Sequence, residues 1–138
     1  MTSETELGLS TLTVDECRGL LVTHRPRLGR LAFVTGDWPL VLPMNYALGS
    51  DVVYFRTAAG RKLFAASRSA RVTFQVDHVD EVWEDGWSLL AFGCLRVVED
   101  PAELARVRQL PLRPWAGGDR PHFLALDIES LSGRRIVC

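Results

Sequence analysis

Apolar and polar residues alternate along most of this chain, and this two-residue period is typical of strands. The clearest case is residues 70–77, where Val72, Phe74 and Val76 share one face. Short turns join several of these runs, which predicts an antiparallel meander. The predicted strands cover residues 29–35, 40–48, 52–57, 70–77, 87–100 and 123–128.

Helical signals occur at only a few places. Thr13 stands three residues before Glu16, a capping box that predicts a helix over about residues 14–24. A proline suited to a first helical turn begins a second predicted helix, residues 101–110. A third short helix is expected over residues 61–67.

Two interruptions within the predicted strands carry information. Pro43 lies inside residues 40–48 and cannot donate a ladder hydrogen bond, so we expect a bulge or an unpaired side there. Gly93 lies in the middle of residues 87–100, where a bend or bulge would curl the sheet. The acidic residues 78–85 are predicted to form a loop.

Together these elements predict a mainly β fold with short helices, in the form of a small antiparallel barrel of six strands. We expect a polar N-terminal arm over residues 1–12 and a single domain over residues 13–138. A chain of 138 residues is long enough to build one core of its own.

Composition and charge argue against several classes of function. The formal net charge is −1 and no segment concentrates Lys or Arg, so we expect no nucleic-acid partner. No run approaches the roughly 20 apolar residues of a membrane helix, and the acidic N-terminus does not look like a secretory signal. Three widely spaced cysteines fit a reducing cytoplasm, and three scattered histidines predict no metal site.

The segment VYFRTAAGRKLFAA, residues 53–66, has the features of an anion site. A strand ends at Arg56 and Thr57, a loop with a glycine follows, and a helix begins at Arg61 and Lys62. Cations at a helix start oppose the helix dipole, whereas a phosphate would bind both the cations and the uncovered amides. A solvated basic helix start is the alternative.

A second candidate is LPMNYAL, residues 42–48. Pro43 leaves backbone groups without ladder partners, and these groups could bond to the edge of a planar heterocycle. Asn45 and Tyr46 add polar groups nearby. The alternative is an edge strand that avoids aggregation.

Four tryptophans are many for a chain of this length. Tryptophan is favoured at interfaces and around planar ligands. Trp115 lies in a proline- and glycine-rich loop, residues 111–121, and suits an interface or a ligand lid better than Trp87, which opens a strand. Arg134 and Arg135 beside a glycine could contact an anion or belong to a solvated tail.

No catalytic nucleophile or catalytic motif stands out, so no catalytic residue is assigned. If the protein is an enzyme, a bound redox cofactor would carry the chemistry while the chain positions it.

Six segments of the chain, in their order and spacing, resemble the pyridoxamine 5'-phosphate oxidase-like family, in its short bacterial branch of nitroimidazole-resistance-type proteins. These segments are LGRLAFV, LPMNYAL, VYFRTAAGRKL, VTFQVD, GWSLLAFGCLRVVED and LSGRRI. The resemblance spans residues 13–136. It implies a split-barrel homodimer with two FMN sites at the interface between the copies.

The resemblance also implies three groups of cofactor-binding residues. The isoalloxazine edge would be lined by Pro43, Met44 and Asn45, with Arg56 and Thr57 near the flavin or its ribityl chain. The phosphate would be held by Arg61 and Lys62. The partner-facing part of the site would include Trp87, Ser88, Trp115 and Arg134.

We therefore expect an FMN-binding flavoprotein that passes electrons from a reduced nicotinamide to a small-molecule acceptor. The residues that bind a pyridoxal-type substrate in the family's oxidases have no counterpart here, so that oxidase activity is not expected. Two alternatives stay open: a deazaflavin (F420)-dependent reductase on the same scaffold, and a non-catalytic flavin or haem carrier or sensor.

Overall fold

The computed structural model describes residues 9–57, 70–112 and 122–136, and strands dominate these residues. In chain order the elements are β1 (Leu9–Thr11), α1 (Val14–Thr23), β2 (Leu28–Thr35), β3 (Trp38–Asn45), β4 (Ala47–Gly49), β5 (Val52–Thr57), β6 (Ala70–Asp80), β7 (Asp85–Val97), α2 (Pro101–Val107) and β8 (His122–Ile136).

The strands form one antiparallel sheet in the order β3-β2-β6-β7-β8-β5-β4. β1 pairs with the far end of β8, where Leu9 lies opposite Ile136. The two ends of the order, β3 and β4, are separated in the chain by Tyr46 alone. A sheet whose outer strands are joined by one residue has to curl, and the result is a half-barrel.

The concave side of this half-barrel encloses the main core. Leu31 and Phe33 of β2 and Phe74 of β6 point into it and are at most 4% exposed. The ring of Tyr46 packs edge-on against Phe74, with the ring centroids 5.3 Å apart. The residue that joins the two ends of the sheet is therefore itself a core residue.

The helix α1 begins where the capping box predicts. Thr13 Oγ1 accepts from the Glu16 N–H at 3.1 Å, and Glu16 Oε1 accepts from the Thr13 N–H at 2.9 Å. Cys17 and Leu21 are buried and attach the helix to the main core. The predicted helix over residues 14–24 is confirmed.

The helix α2 packs on the convex side, over β5 and the first part of β8, through Val107 against Tyr54 and Phe123. Arg96 of β7 links this helix to the sheet. Its Nη1 and Nη2 donate to the two oxygens of Glu103 at 2.7 and 2.9 Å, and its Nε donates to Asp127 at 2.6 Å. The hydroxyl of Tyr54 also donates to Glu103, at 2.7 Å.

The described residues form eight strands, whereas six were predicted. The predicted strand over residues 40–48 is divided at Tyr46, whose N–H donates to the Arg27 carbonyl at 3.1 Å. The predicted strand over residues 123–128 continues to Ile136, and this extension gives residues 9–11 an edge on which to form β1.

The loop predicted over residues 78–85 is confirmed only for the turn at residues 81–84, and the rest of the range belongs to strands. β6 continues to Asp80, which pairs with Asp85 of β7. Asp80 holds the connecting turn, because its Oδ1 accepts from the N–H groups of Val82 and Trp83 at 3.0 and 3.1 Å. This end of the hairpin lies beyond the core, so its exposed side chains lack the alternation that marks a half-buried strand.

Other predictions agree with the structure. The strand over residues 52–57 is confirmed as β5, and the bulge expected at Gly93 is present between Phe92 and Gly93. The second helix is shorter than predicted and ends at Val107. The helix predicted over residues 61–67 lies outside the described residues. Among the described residues, no helix has the length and apolar character that crossing a membrane requires.

Candidate functional site

Three of the predicted site residues border one cavity of about 590 Å³ beside the β6–β7 hairpin: Trp87, Ser88 and Arg134. The pairing of β7 with β8 brings them together, because Ser88 lies opposite Arg134. Most of the other lining side chains are acidic, namely Asp77, Asp80, Glu81, Glu84 and Asp85. With Arg134 as the one cation among the described lining residues, the cavity suits an uncharged ring better than a phosphate.

Successive residues of a strand face opposite sides of the sheet, and this separates Trp87 from Ser88. Trp87 packs against the main core on the concave side. Ser88 faces the convex side, where Gln75 Nε2 donates to its Oγ at 3.2 Å and to Asp77 Oδ2 at 2.8 Å. Arg30 Nη1 donates to Gln75 Oε1 at 3.3 Å. The convex side therefore carries a connected row of polar side chains.

Two histidines, His24 and His78, pack beside Trp87, and no local pattern in the sequence predicts this contact. The ring centroid of His24 lies 5.0 Å from that of Trp87 in an edge-on arrangement, and 5.7 Å from that of His78. Burial lowers the pKa of His24, and the nearby His78 lowers it further. His78 reaches Trp87 because the two residues are register partners across β6 and β7.

The outer edge of β3 carries Pro43 and Asn45. Tyr46 N–H donates to the Arg27 carbonyl across the β2–β3 pair, and backbone groups of an antiparallel strand face a given neighbour at every second residue. Counting back from Tyr46, Met44 faces β2, whereas Pro43 and Asn45 face outward. In the described part of the chain, no strand pairs with this edge.

The position of Met44 differs from the expectation of a ring-edge contact. Its side chain is 6% exposed and belongs to the main core. Because its backbone groups face β2, the backbone groups that face away from β2 are those of its neighbours Pro43 and Asn45. The unpaired side expected at Pro43 is present.

Asn45 also lines a second cavity of about 430 Å³, together with Arg27 and Tyr46. The Tyr46 hydroxyl donates to the Leu21 carbonyl at 3.0 Å. Burial raises the pKa of Tyr46, while the positive charges of Arg27 and Arg25 act in the opposite direction. The sequence did not single out Arg27, because nothing in its local pattern shows that it borders a cavity.

Arg56 and Thr57 end β5, opposite Phe123 and His122 of β8. The guanidinium carbon of Arg56 lies 5.7 Å from the centroid of the Phe123 ring, a cation–π distance. Thr57 is 8% exposed. Arg56 and Thr57 pair with the start of β8, whereas the β6–β7 hairpin lies beside the end of β8. Arg56 and Thr57 therefore lie away from that hairpin. Arg61, Lys62 and Trp115 lie outside the described residues.

An antiparallel half-barrel with this strand order matches the split-barrel class of proteins. The chain belongs to the pyridoxamine 5'-phosphate oxidase family, because the family model of that description matches residues 13–135. The family resemblance drawn from the sequence is confirmed.

Solved structures of other proteins share this fold. The FAD-binding protein of Mycobacterium smegmatis is 31% identical, with a TM-score of 0.77 over 92% of this chain and 98% of that one. A FAD-binding protein of Mesorhizobium loti is 26% identical, with a TM-score of 0.72 over 92% and 97% of the two chains. A candidate 5-nitroimidazole antibiotic resistance protein of Bacteroides thetaiotaomicron is similar in fold, at 15% identity and a TM-score of 0.70 over 93% and 89%.

Proposed function

We propose that this protein binds a flavin nucleotide, with the isoalloxazine ring against the outer edge of β3. The observation that carries the proposal is the outward orientation of Pro43 and Asn45 on an edge that no described strand covers. The N–H of Asn45 would donate to one flavin carbonyl and an outward strand carbonyl would accept from the flavin N3–H, because the flavin pyrimidine ring presents carbonyl and N–H groups side by side. The two FAD-binding structures that share 31% and 26% of their sequence with this chain support the same cofactor class.

The site is proposed to form between two copies of the chain. The convex sides of β2 and β3 carry exposed apolar side chains, with Val34 69% and Val41 59% exposed. The helices α1 and α2 pack elsewhere, on the main core and over β5. An apolar sheet face of this kind fits a homodimer interface. The partner would add the Trp87, Ser88 and Arg134 side of the cavity beside its β6–β7 hairpin.

FMN is the nucleotide that the basic pair Arg61 and Lys62 favours, since two cations at a helix start predicted from the sequence would suit one terminal phosphate. The Mycobacterium smegmatis and Mesorhizobium loti proteins bind FAD, so the choice between FMN and FAD is part of the test. When bound, the flavin would supply electron transfer between a reduced nicotinamide and a small acceptor. The chain would hold the ring edge, anchor the phosphate and exclude water.

The test is a titration of flavin-free protein with FMN, FAD and riboflavin, followed by the fluorescence of the flavin. We expect FMN or FAD to bind more tightly than riboflavin, which has the same ring without a phosphate. If none of the three flavins changes its fluorescence in the presence of the protein, flavin binding is ruled out. Equal affinity for FMN and riboflavin would rule out the phosphate anchor alone.

A further inference from the structure

The cavity that Arg27 borders contains a cation without a counter-charge. Its wall consists of Arg27, Asn45, Tyr46, Leu110, Pro111 and Leu112. Within the described residues, no carboxylate pairs with Arg27. To the residues that the structure describes, its guanidinium makes one hydrogen bond, from Nη2 to the Val22 carbonyl at 2.9 Å.

The Nε of Arg27 is a second anomaly at the same place. Among the described residues it is the one buried side-chain nitrogen or oxygen that has no hydrogen-bond partner. A buried N–H without an acceptor is unfavourable, and more so when the group is charged. The charge and the missing acceptor together point to a ligand that is anionic and accepts hydrogen bonds.

We propose that this cavity binds a small organic carboxylate, held by the Arg27 guanidinium. A carboxylate carries one negative charge and accepts hydrogen bonds from a guanidinium, whose five N–H donors are not all used by the Val22 carbonyl. A phosphate monoester carries nearly two charges and would need further cations, whereas Arg27 is the one cation among the described lining residues.

The rest of the wall determines what the carboxylate is attached to. Leu110, Pro111 and Leu112 form the apolar part of the wall, and Arg27, Asn45 and Tyr46 form the polar part. The Tyr46 hydroxyl is occupied as a donor to the Leu21 carbonyl, so its oxygen offers no proton to a ligand carboxylate. A carboxylate with a compact apolar or aromatic body therefore fits this cavity. This assignment does not depend on flavin binding.

The Arg27 backbone is held in place, which limits how far the guanidinium can move. Its carbonyl accepts from the Tyr46 N–H at 3.1 Å, and the next residue, Leu28, donates to the Pro26 carbonyl at 2.9 Å. Together with the hydrogen bond from Nη2 to the Val22 carbonyl, these contacts keep the guanidinium at the cavity wall.

Benzoate is a suitable probe, and benzamide is its uncharged counterpart of nearly the same shape. In nitrogen-15-labelled protein, NMR follows the Nε–Hε signal of Arg27 directly. We expect millimolar benzoate to move this signal and benzamide to leave it in place. If benzoate leaves the signal unchanged, or if benzamide moves it equally, the proposal is wrong.

A matched pair of variants provides a second test. Arg27→Gln removes the cation, and we expect it to weaken benzoate binding by about tenfold or more, since hydrogen bonds to charged groups are worth that factor. Arg25→Gln is the control, because Arg25 also donates to the Val22 carbonyl, at 2.8 Å, but does not line the cavity. Equal affinities of Arg27→Gln and wild type overturn the proposal, and the benzoate–benzamide comparison decides it if Arg27→Gln does not fold.

Discussion

Ser88 and Arg134 lie directly opposite each other on β7 and β8, at the border of the cavity beside the β6–β7 hairpin. Nothing in the chain between them predicts this pairing, which follows from the register of two long strands. The same register places Trp87 opposite Arg135, with its ring on the other side of the sheet. The proposed partner-facing part of the site therefore depends on the alignment of β7 with β8.

The outward N–H of Asn45 is expected to contribute to flavin binding. Asn45→Pro removes this N–H, and we expect flavin affinity to fall by about tenfold, the value of one hydrogen bond of ~1.4 kcal/mol. Asn45→Ala keeps the N–H and removes only the side chain, so it separates the two contributions. Fluorescence titration measures both variants, and an unchanged affinity in Asn45→Pro would contradict the assigned ring position.

The exposed valines of β2 and β3 are expected to lie in the dimer interface. Val34→Glu combined with Val41→Glu places two charges on that face, and we expect the dimer to dissociate at micromolar concentration. Val22→Glu is the control, because Val22 is similarly exposed, at 52%, but lies on α1. Sedimentation velocity measures the mass of each variant. A double variant that stays dimeric would exclude this face.

Gly93 is expected to be indispensable to the bulge in β7. A Cβ atom at this position would lie 1.9 Å from the Asp127 carbonyl oxygen, so Gly93→Ala forces β8 to move. We expect the free energy of unfolding to fall by about 1–3 kcal/mol or more. Gly19→Ala is the opposite case: nothing lies within 4 Å of the new methyl group, and a helix gains ~0.5–1 kcal/mol from the exchange. Denaturant unfolding of the two variants tests this contrast.

The ion pair of Glu103 with Arg96 is expected to make the free energy of unfolding depend on pH in the acidic range. Hydrogen bonds from Arg96 hold the pKa of Glu103 at about 2, below its ordinary value of 4.5. Because the pKa of Glu103 is lower in the folded state, its ionised carboxylate stabilises the fold. This contribution to the free energy of unfolding is complete above pH 4.5 and is lost as the pH falls toward 2.

Glu103→Gln should therefore lower stability by about 1–3 kcal/mol at neutral pH and flatten its dependence on pH in that acidic range. The exposed neighbour Glu99 gives the control variant, Glu99→Gln. Thermal unfolding at a series of pH values is the measurement. A variant that loses stability in acid as steeply as the wild type would show that Glu103 is not the responsible group.

Features set by neighbouring residues could be predicted from the sequence. The capping box of Thr13 and Glu16 depends on local spacing, and the inward row of Val72, Phe74 and Val76 follows from alternation around a buried face. The bulge at Gly93 could also be placed, because glycine tolerates the close approach of a neighbouring strand.

Features set by long-range pairing could not be predicted in this way. The continuation of β6 to Asp80 needs β7 as its partner, and the exposed residues there carry no alternating pattern. His24 meets Trp87 only because α1 ends beside the β6–β7 pair. That the Arg27 Nε is buried without an acceptor depends on the three-dimensional packing around it, so the sequence alone cannot show it.

We propose that two copies of this chain hold a flavin between them, and sedimentation velocity detected at the visible absorption band of the flavin is the most direct test. Protein mixed with a substoichiometric amount of FMN, and in a parallel run FAD, is sedimented at micromolar concentration. We predict that the flavin absorbance moves with a species of twice the chain mass, 15.4 kDa. Flavin that stays at the rate of the free nucleotide, or that moves with a single chain, would contradict the account.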